Sequence, residues 1–172
     1  LTDPRWDLKF LGMQVILEGF ALAAFSVAKD ATEDPVYKNM IELILRDEAR
    51  HVAFGITFLK DYIGTLSEEE QYDRAKFALE ACTISRKNLK PFALWEHYGM
   101  GVEYTEDYQM DPPHWIQEKF QSTLFTRIMP NLKRVGLLRE EFIPEYEKLG
   151  IMKYANSSDD YEVSGEELSK PL

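Results

Sequence analysis

The chain has 172 residues, of which 45% are hydrophobic and 29% are charged, and this composition suits one globular domain with a sizeable core. Its formal net charge of -10, without a cluster of Lys and Arg, argues against nucleic acid or an anionic membrane surface as the partner. The single cysteine, Cys82, excludes an internal disulfide and fits a reducing compartment, where we expect it to be buried and without chemistry.

The N-terminal region lacks the positive segment and cleavage site of a secretory signal, which favours a cytoplasmic location. Residues 12–28 are the most hydrophobic window, but they include Gln14 and Glu18 and fall short of the roughly 20 apolar residues that span a bilayer. We therefore interpret this window as a core helix and expect no membrane partner. The start at Leu1 indicates a processed protein, a trimmed chain or a piece of a longer gene product.

Two long helices are predicted first. Asp3-Pro4 caps a helix of about 25 residues that ends near Asp30, with apolar residues at helical spacing. Glu33-Asp34-Pro35 then breaks the chain before a second helix from Val36 to about Ile63. At 1.5 Å per residue each helix spans on the order of 40 Å, and the short connection makes them antiparallel neighbours.

The rest of the chain is also predicted to be helical. Ser67 and Glu70 form a capping box that begins a third helix, which Pro91 should end or kink. After a loop over residues 98–111, we predict a helix from Pro112-Pro113 to about Val135 and a short helix from Arg139 that ends at Gly150. The sequence thus predicts an all-α helical domain over residues 1–152 and a polar, acidic tail over residues 153–172.

Glu48-Ala49-Arg50-His51 places a carboxylate and an imidazole three positions apart, on one side of a helix, where they can bind one metal ion. Glu18 lies in the apolar window, where an unpaired carboxylate would be costly. Antiparallel packing brings Glu18 level with Glu48 and His51. We predict that the three converge inside the bundle as ligands of iron or manganese, which accept mixed oxygen and imidazole sets.

Other residues near this motif are candidates for supporting roles. Asp47 is the candidate for a hydrogen-bonding residue behind the ligands, and Arg50 is a candidate counter-charge. Without a metal, Glu48 and His51 would form a salt-bridged pair, and Glu18 would be a partly exposed carboxylate or would pair with Arg50. Glu80 is a weaker ligand candidate, because a solvated helix face explains it more simply. We expect the aromatic side chains of Phe54, Phe58, Trp95 and Phe120 in the core.

Residues 46–55, Arg-Asp-Glu-Ala-Arg-His-Val-Ala-Phe-Gly, with Glu18 some thirty residues upstream, resemble the C-terminal half of the ferritin-like diiron carboxylate proteins. The closest resemblance is to the p-aminobenzoate N-oxygenase and ribonucleotide-reductase-small-subunit-like oxidases. Residues 130–139 and 146–150 are similar to the ends of such oxidases. The resemblance implies a ferritin-like, long antiparallel helical bundle with Glu18, Glu48 and His51 as metal ligands and Asp47 hydrogen-bonded behind them.

The chain departs from the family in the number of ligands that it offers. The family's centre needs two Glu helices and two Glu-x-x-His helices, whereas this chain has Glu18 on one helix and Glu48 with His51 on the next. Neither His97 nor His114 supplies a second Glu-x-x-His motif. Either an N-terminal half is missing, or two copies meet across a twofold axis and each contributes half of the ligands, so we expect a homodimer.

The resemblance implies a function only if a complete centre forms. It would then hold two iron ions, or iron with manganese, and would activate dioxygen on a small organic substrate with the help of an electron donor. Oxygenation, N-oxidation and desaturation are all compatible with this centre, and no tyrosyl radical can be assigned. The alternatives are a ferritin-like bundle that stores iron or senses metal, and a metal-free helical interaction domain.

Overall fold

The computed structural model describes residues 3–88 and 114–158, without the side chains of residues 87, 88 and 114–117. Every regular element in these ranges is a helix, which confirms the all-α prediction. The predictions at Pro91, at Trp95, at His97 and for the loop over residues 98–111 lie outside the described residues, as does most of the predicted tail.

Helix α1 is a continuous rod, Trp6–Ala31, whose 26 residues match the predicted length. Its α-helical start, Trp6–Leu11, leads into a π-helical segment, Gly12–Leu17, and then into α-helical Glu18–Ala31. The expected cap is wrong: Arg5 occupies the N-cap position, and Asp3 accepts a hydrogen bond from the backbone N–H of Arg5 instead. The sequence pattern does not predict the π-helical segment, a rare structure that is frequent at functional sites.

Helix α1 is the central element, and it packs against the other three long helices. Among the described helices it is the one that is long and apolar enough to cross a membrane by length and composition, with a mean hydropathy of 1.7, although core helices of soluble proteins pass the same test. Fully buried side chains from all four long helices form the core, including Leu11, Leu22, Ile41, Leu45, Leu59, Ala78, Leu124 and Ile128.

Helix α2, Pro35–Ile63, confirms the second predicted helix, and Asp34 caps it by accepting hydrogen bonds from two backbone N–H groups. Helix α3, Glu68–Asn88, begins with the predicted capping box: the Ser67 backbone N–H donates to the Glu70 carboxylate and the Glu70 N–H donates to Ser67 Oγ. Helix α4, His114–Arg134, contains Pro130 as expected. These local signals therefore place the starts of α2 and α3 correctly.

The C-terminal region packs against the bundle. A 3-10 turn, Glu140–Phe142, leads into the short helix α5, Ile143–Lys148, and Gly150 ends this part of the chain with a φ of 70°, a conformation that favours glycine. A second 3-10 turn, Met152–Tyr154, spans the predicted domain boundary at residue 152. Ala155 just beyond it is 3% exposed, so the packed structure continues past that boundary.

Cys82 on α3 and Tyr146 on α5 are both fully buried in the core. Burial raises the pKa of the Cys82 thiol to about 12, so the thiol stays protonated, as expected for a cysteine without chemistry. Burial also raises the pKa of Tyr146, and the nearby Cys82 raises it further. In the described part of the chain the Tyr146 hydroxyl has no hydrogen-bond partner.

This unpaired hydroxyl predicts a stabilising substitution. Tyr146→Phe removes a buried polar group without changing the shape of the ring, so we expect the free energy of unfolding to rise by about 1 kcal/mol. Chemical denaturation monitored by circular dichroism measures this difference. A matched Tyr72→Phe variant, whose side chain is exposed, should change the free energy by less than about 0.5 kcal/mol. A loss of stability in Tyr146→Phe would show that the hydroxyl has a partner.

Candidate metal centre

The structure brings together the three side chains that the sequence nominates as ligands. Glu18 is the first residue after the π-helical segment of α1, and Glu48 and His51 lie one turn apart in the middle of α2. Glu18, Glu48 and His51 each offer one ligand atom, and these atoms all lie within 4.8 Å of one another. Because Glu18 comes from a different helix, the packing of α1 on α2 creates this cluster.

Hydrogen bonding and charge couple the three groups. The Nδ1 atom of His51 lies 3.2 Å from Oε2 of Glu48, so this ring nitrogen faces the carboxylates. Partial burial raises the pKa of Glu18 above its ordinary value, and the hydrogen bond to Glu48 and the charge of Glu48 raise it further, while His51 lowers it. Two carboxylates held this closely repel each other unless a proton or a cation lies between them.

The cluster lies at the surface of the helix pair, which corrects the expectation of a centre inside the bundle. The side chain of Glu48 is 24% exposed, but that of His51 is 63% exposed. The hydrophobic stripe of α2 faces the core with Ile41, Leu45 and Leu59, and His51 lies to one side of it.

Asp47 and Arg50 lie outside the cluster and interact with each other. Arg50 Nη1 is 4.0 Å from Asp47 Oδ1, and the Asp47 side chain is 53% exposed. The structure thus pairs Arg50 with Asp47, and among residues 3–88 and 114–158 it gives no contact that would support Asp47 behind the imidazole or Arg50 as a partner of Glu18. Glu80 is exposed on α3, as expected for a solvated residue, and the side chain of His114 is outside the described part of the chain.

Two glycines allow close approach of the helices around Glu18, a feature that the sequence pattern does not reveal. A Cβ atom on Gly55 would lie 2.7 Å from Cβ of Gln14, in the π-helical segment one turn before Glu18. A Cβ atom on Gly19 would lie 3.0 Å from Cγ1 of Ile128 on α4. Helices α2 and α4 therefore fix the position of Glu18 from two sides.

The contact at Gly55 predicts a geometric defect in Gly55→Ala. The new methyl group would overlap Cβ of Gln14, which is attached to the backbone and cannot rotate away, so α1 and α2 must separate. We expect a loss of about 1–3 kcal/mol in stability and about a tenfold loss in metal affinity. Chemical denaturation measures the loss of stability, and metal titration measures the loss of affinity. Gly64→Ala serves as the control, because its Cβ atom would lie 3.4 Å from the backbone oxygen of Lys60, and it should leave metal affinity unchanged.

Five aromatic rings form an aromatic cluster beside the candidate ligands. Trp6 contacts Phe10, Phe58 and Tyr62, and Phe58 also stacks on Phe54, one turn after His51. The expectation that Phe54 and Phe58 lie in the core is wrong, because they are 61% and 46% exposed. Phe120, in contrast, is partly buried against the core, as expected.

The donor set fits a divalent transition metal. Metal–oxygen and metal–nitrogen bonds of about 2.0–2.2 Å place ligand atoms on opposite sides of an ion about 4 Å apart, and the ligand atoms of this cluster lie within 4.8 Å of one another without an ion. Two carboxylates and one imidazole suit iron or manganese and balance a charge of +2.

Comparison of the chain with known protein families, with curated proteins and with solved structures finds no match to any of them. The family resemblance therefore stays a prediction.

Proposed function

We propose that this protein binds iron or manganese through Glu18, Glu48 and His51 and activates dioxygen for the oxidation of a small organic substrate. The observation that supports the proposal is the convergence of the three ligand atoms within 4.8 Å, from two consecutive helices that pack side by side. A lone Glu-x-x-His motif occurs often by chance, whereas a third ligand at the right place requires the two helices to pack in one register.

Each of the three residues would have its own part in binding the metal ion. Glu48 and His51 hold the ion from one turn of α2, and Glu18 adds its charge from α1, so an ion at this position links the two helices. In a single chain the remaining coordination positions would stay open, because three protein ligands do not fill the shell of iron or manganese. The bound ion would supply the electrons for reduction of dioxygen, and an external electron donor would restore them.

The surroundings offer a place for an organic substrate. Phe54 lies one helical turn from His51, and its half-exposed ring presents an apolar surface beside the open side of the site. Apolar and aromatic side chains of this kind bind small organic molecules by removing their surface from water. The aromatic cluster also favours a second candidate function, a metal-free interaction domain, because exposed aromatic groups are enriched at protein interfaces.

Metal titration under anaerobic conditions distinguishes these functions. We expect the purified chain to bind about one Fe(II) or Mn(II) per chain and the iron-loaded form to consume dioxygen when a reductant is supplied. Glu48→Ala and His51→Ala should each abolish binding and leave the helical circular dichroism signal nearly unchanged. Glu80→Ala removes an exposed carboxylate elsewhere and should bind metal normally.

Three outcomes would contradict the proposal. Binding of less than about a tenth of an equivalent would leave the interaction domain as the better explanation, and uptake of many irons per chain would indicate storage. Full metal occupancy in both Glu48→Ala and His51→Ala would show that other residues are the ligands.

A further inference from the structure

Helix α2 exposes an apolar stripe that runs along the same side as His51. Its members recur three or four positions apart, which places them on one face of the helix: Val36, Met40, Leu43, Asp47, His51, Phe54 and Phe58. The apolar members are strongly exposed, for example Leu43 at 64% and Phe54 at 61%. We call the surface made by this stripe with Glu18, Glu48 and the aromatic cluster the metal face.

We propose that the metal face binds a second copy of this chain and that the two half-sites close around a pair of metal ions. This inference rests on the proposed metal binding. It commits to a symmetric dimer, in which the twofold axis passes close to the candidate ligands and both copies use the same surface.

The placement of the apolar side chains suits such an axis. Along α2, Phe58 lies about 13 Å on one side of the midpoint between Glu48 and His51, and Met40 lies about 14 Å on the other side, at 1.5 Å per residue. A twofold axis through this midpoint, perpendicular to α2, makes the two α2 helices antiparallel. Phe58 of one copy then lies opposite Met40 of the other, so apolar groups meet at both ends.

Ligand number and charge favour the same arrangement. Two copies supply four carboxylates and two imidazoles, the set that two helix pairs with Glu and Glu-x-x-His need for two metal ions. The four negative charges balance two divalent cations. Without the cations, two chains of net charge -10 would bring four carboxylates together, so dimerisation should depend on the metal.

The size of the metal face is sufficient for a specific interface. From Val36 to Phe58 the stripe is about 33 Å long, and two adjacent helices of about 10 Å diameter give a width of about 20 Å. The resulting area of about 700 Å² per copy is close to the roughly 800 Å² that each partner contributes to a standard interface. Within this footprint Val36, Met40, Leu43, Phe54 and Phe58 are all exposed, and a contiguous apolar stripe of this kind marks an interaction site.

Sedimentation velocity with and without Mn(II) tests the inference. We expect a species of 20.0 kDa in EDTA and a species of twice that mass with one equivalent of Mn(II) per chain. Electron paramagnetic resonance should show two magnetically coupled Mn(II) ions in the dimer. A monomer that binds Mn(II) would overturn the dimer but leave the proposed function intact, whereas absence of Mn(II) binding would overturn both.

A pair of charge variants tests which surface is used. Leu43→Glu adds a charge to the metal face away from the ligands, so we expect a monomer with uncoupled Mn(II) and about tenfold weaker binding. Ile84→Glu adds the same charge to an exposed position on α3, outside the metal face, and should remain a metal-dependent dimer. Retention of the coupled dimer in Leu43→Glu, or its equal loss in both variants, would overturn the proposed interface.

Discussion

Glu18→Gln should abolish metal binding and at the same time stabilise the metal-free protein. The amide keeps the shape of the side chain but is a poor ligand, so we expect more than about a 100-fold loss in Mn(II) affinity, since even residues that support ligands change affinity by 10–100-fold. The stabilisation follows because the substitution removes one of two carboxylates that lie within 4.8 Å of each other. Because Glu18 and Glu48 are only partly buried, the repulsion between their carboxylates amounts to about 1 kcal/mol.

The stability gained by Glu18→Gln should depend on pH in one direction. The pKa of Glu18 in the folded protein is raised above the ordinary value of 4.5, so its ionisation favours the unfolded state. This destabilisation of the folded state is absent below pH 4.5 and grows as the pH rises from 4.5 to the folded pKa of Glu18. The stability difference between Glu18→Gln and the parent should therefore be present at pH 7 and vanish near about pH 4.

Denaturation of the metal-free proteins at both pH values measures the difference, and Mn(II) titration measures the affinity. Glu80→Gln is the matched control, because Glu80 is exposed on α3 and should affect neither quantity. Equal stability of Glu18→Gln and the parent at pH 7 would show that the carboxylate repulsion is relieved in another way. Unchanged Mn(II) affinity would remove Glu18 from the ligand set.

The helices and the convergence of the ligands follow from local signals in the sequence. Asp34 and the Ser67–Glu70 capping box mark helix starts through hydrogen bonds that a few neighbouring residues provide. The register of Glu18 against Glu48 follows from helix lengths and a short connection. These arguments need no knowledge of tertiary packing, and the structure agrees with them.

The exposure of the site depends on packing, and here sequence reasoning fails. Phe54 and Phe58 are apolar, and the pattern of α2 does not show which of its two apolar sides meets α1 and α4. The π-helical segment also escapes prediction, because six residues are too few to distinguish its period from that of an α-helix. The contact of Gln14 with Gly55 can be recognised only once the two helices are placed.

Asp7→Ala should cause the largest loss of stability among the substitutions considered for the fold. Asp7 and Arg74 are 2% and 7% exposed, and Arg74 Nε donates to Asp7 Oδ2 at 2.7 Å, which joins the first turn of α1 to α3. Removing Asp7 leaves the guanidinium buried, with exposed Asp73 at 3.3 Å as its remaining partner. We expect a decrease of about 3–5 kcal/mol in the free energy of unfolding, because a buried charge loses its counter-charge.

Chemical denaturation at pH 7 checks this value. Asp73→Ala, which removes the more exposed partner, should cost less than about 1 kcal/mol, since surface ion pairs contribute little. The double variant Asp7→Leu with Arg74→Met replaces both charges by apolar groups and should recover most of the loss. Mn(II) affinity of the folded fraction of Asp7→Ala should stay within about threefold of the parent, because the pair lies at the start of α1 and does not touch Glu18. A loss below about 1 kcal/mol in Asp7→Ala would mean that Arg74 reaches water and that another contact holds α1 against α3.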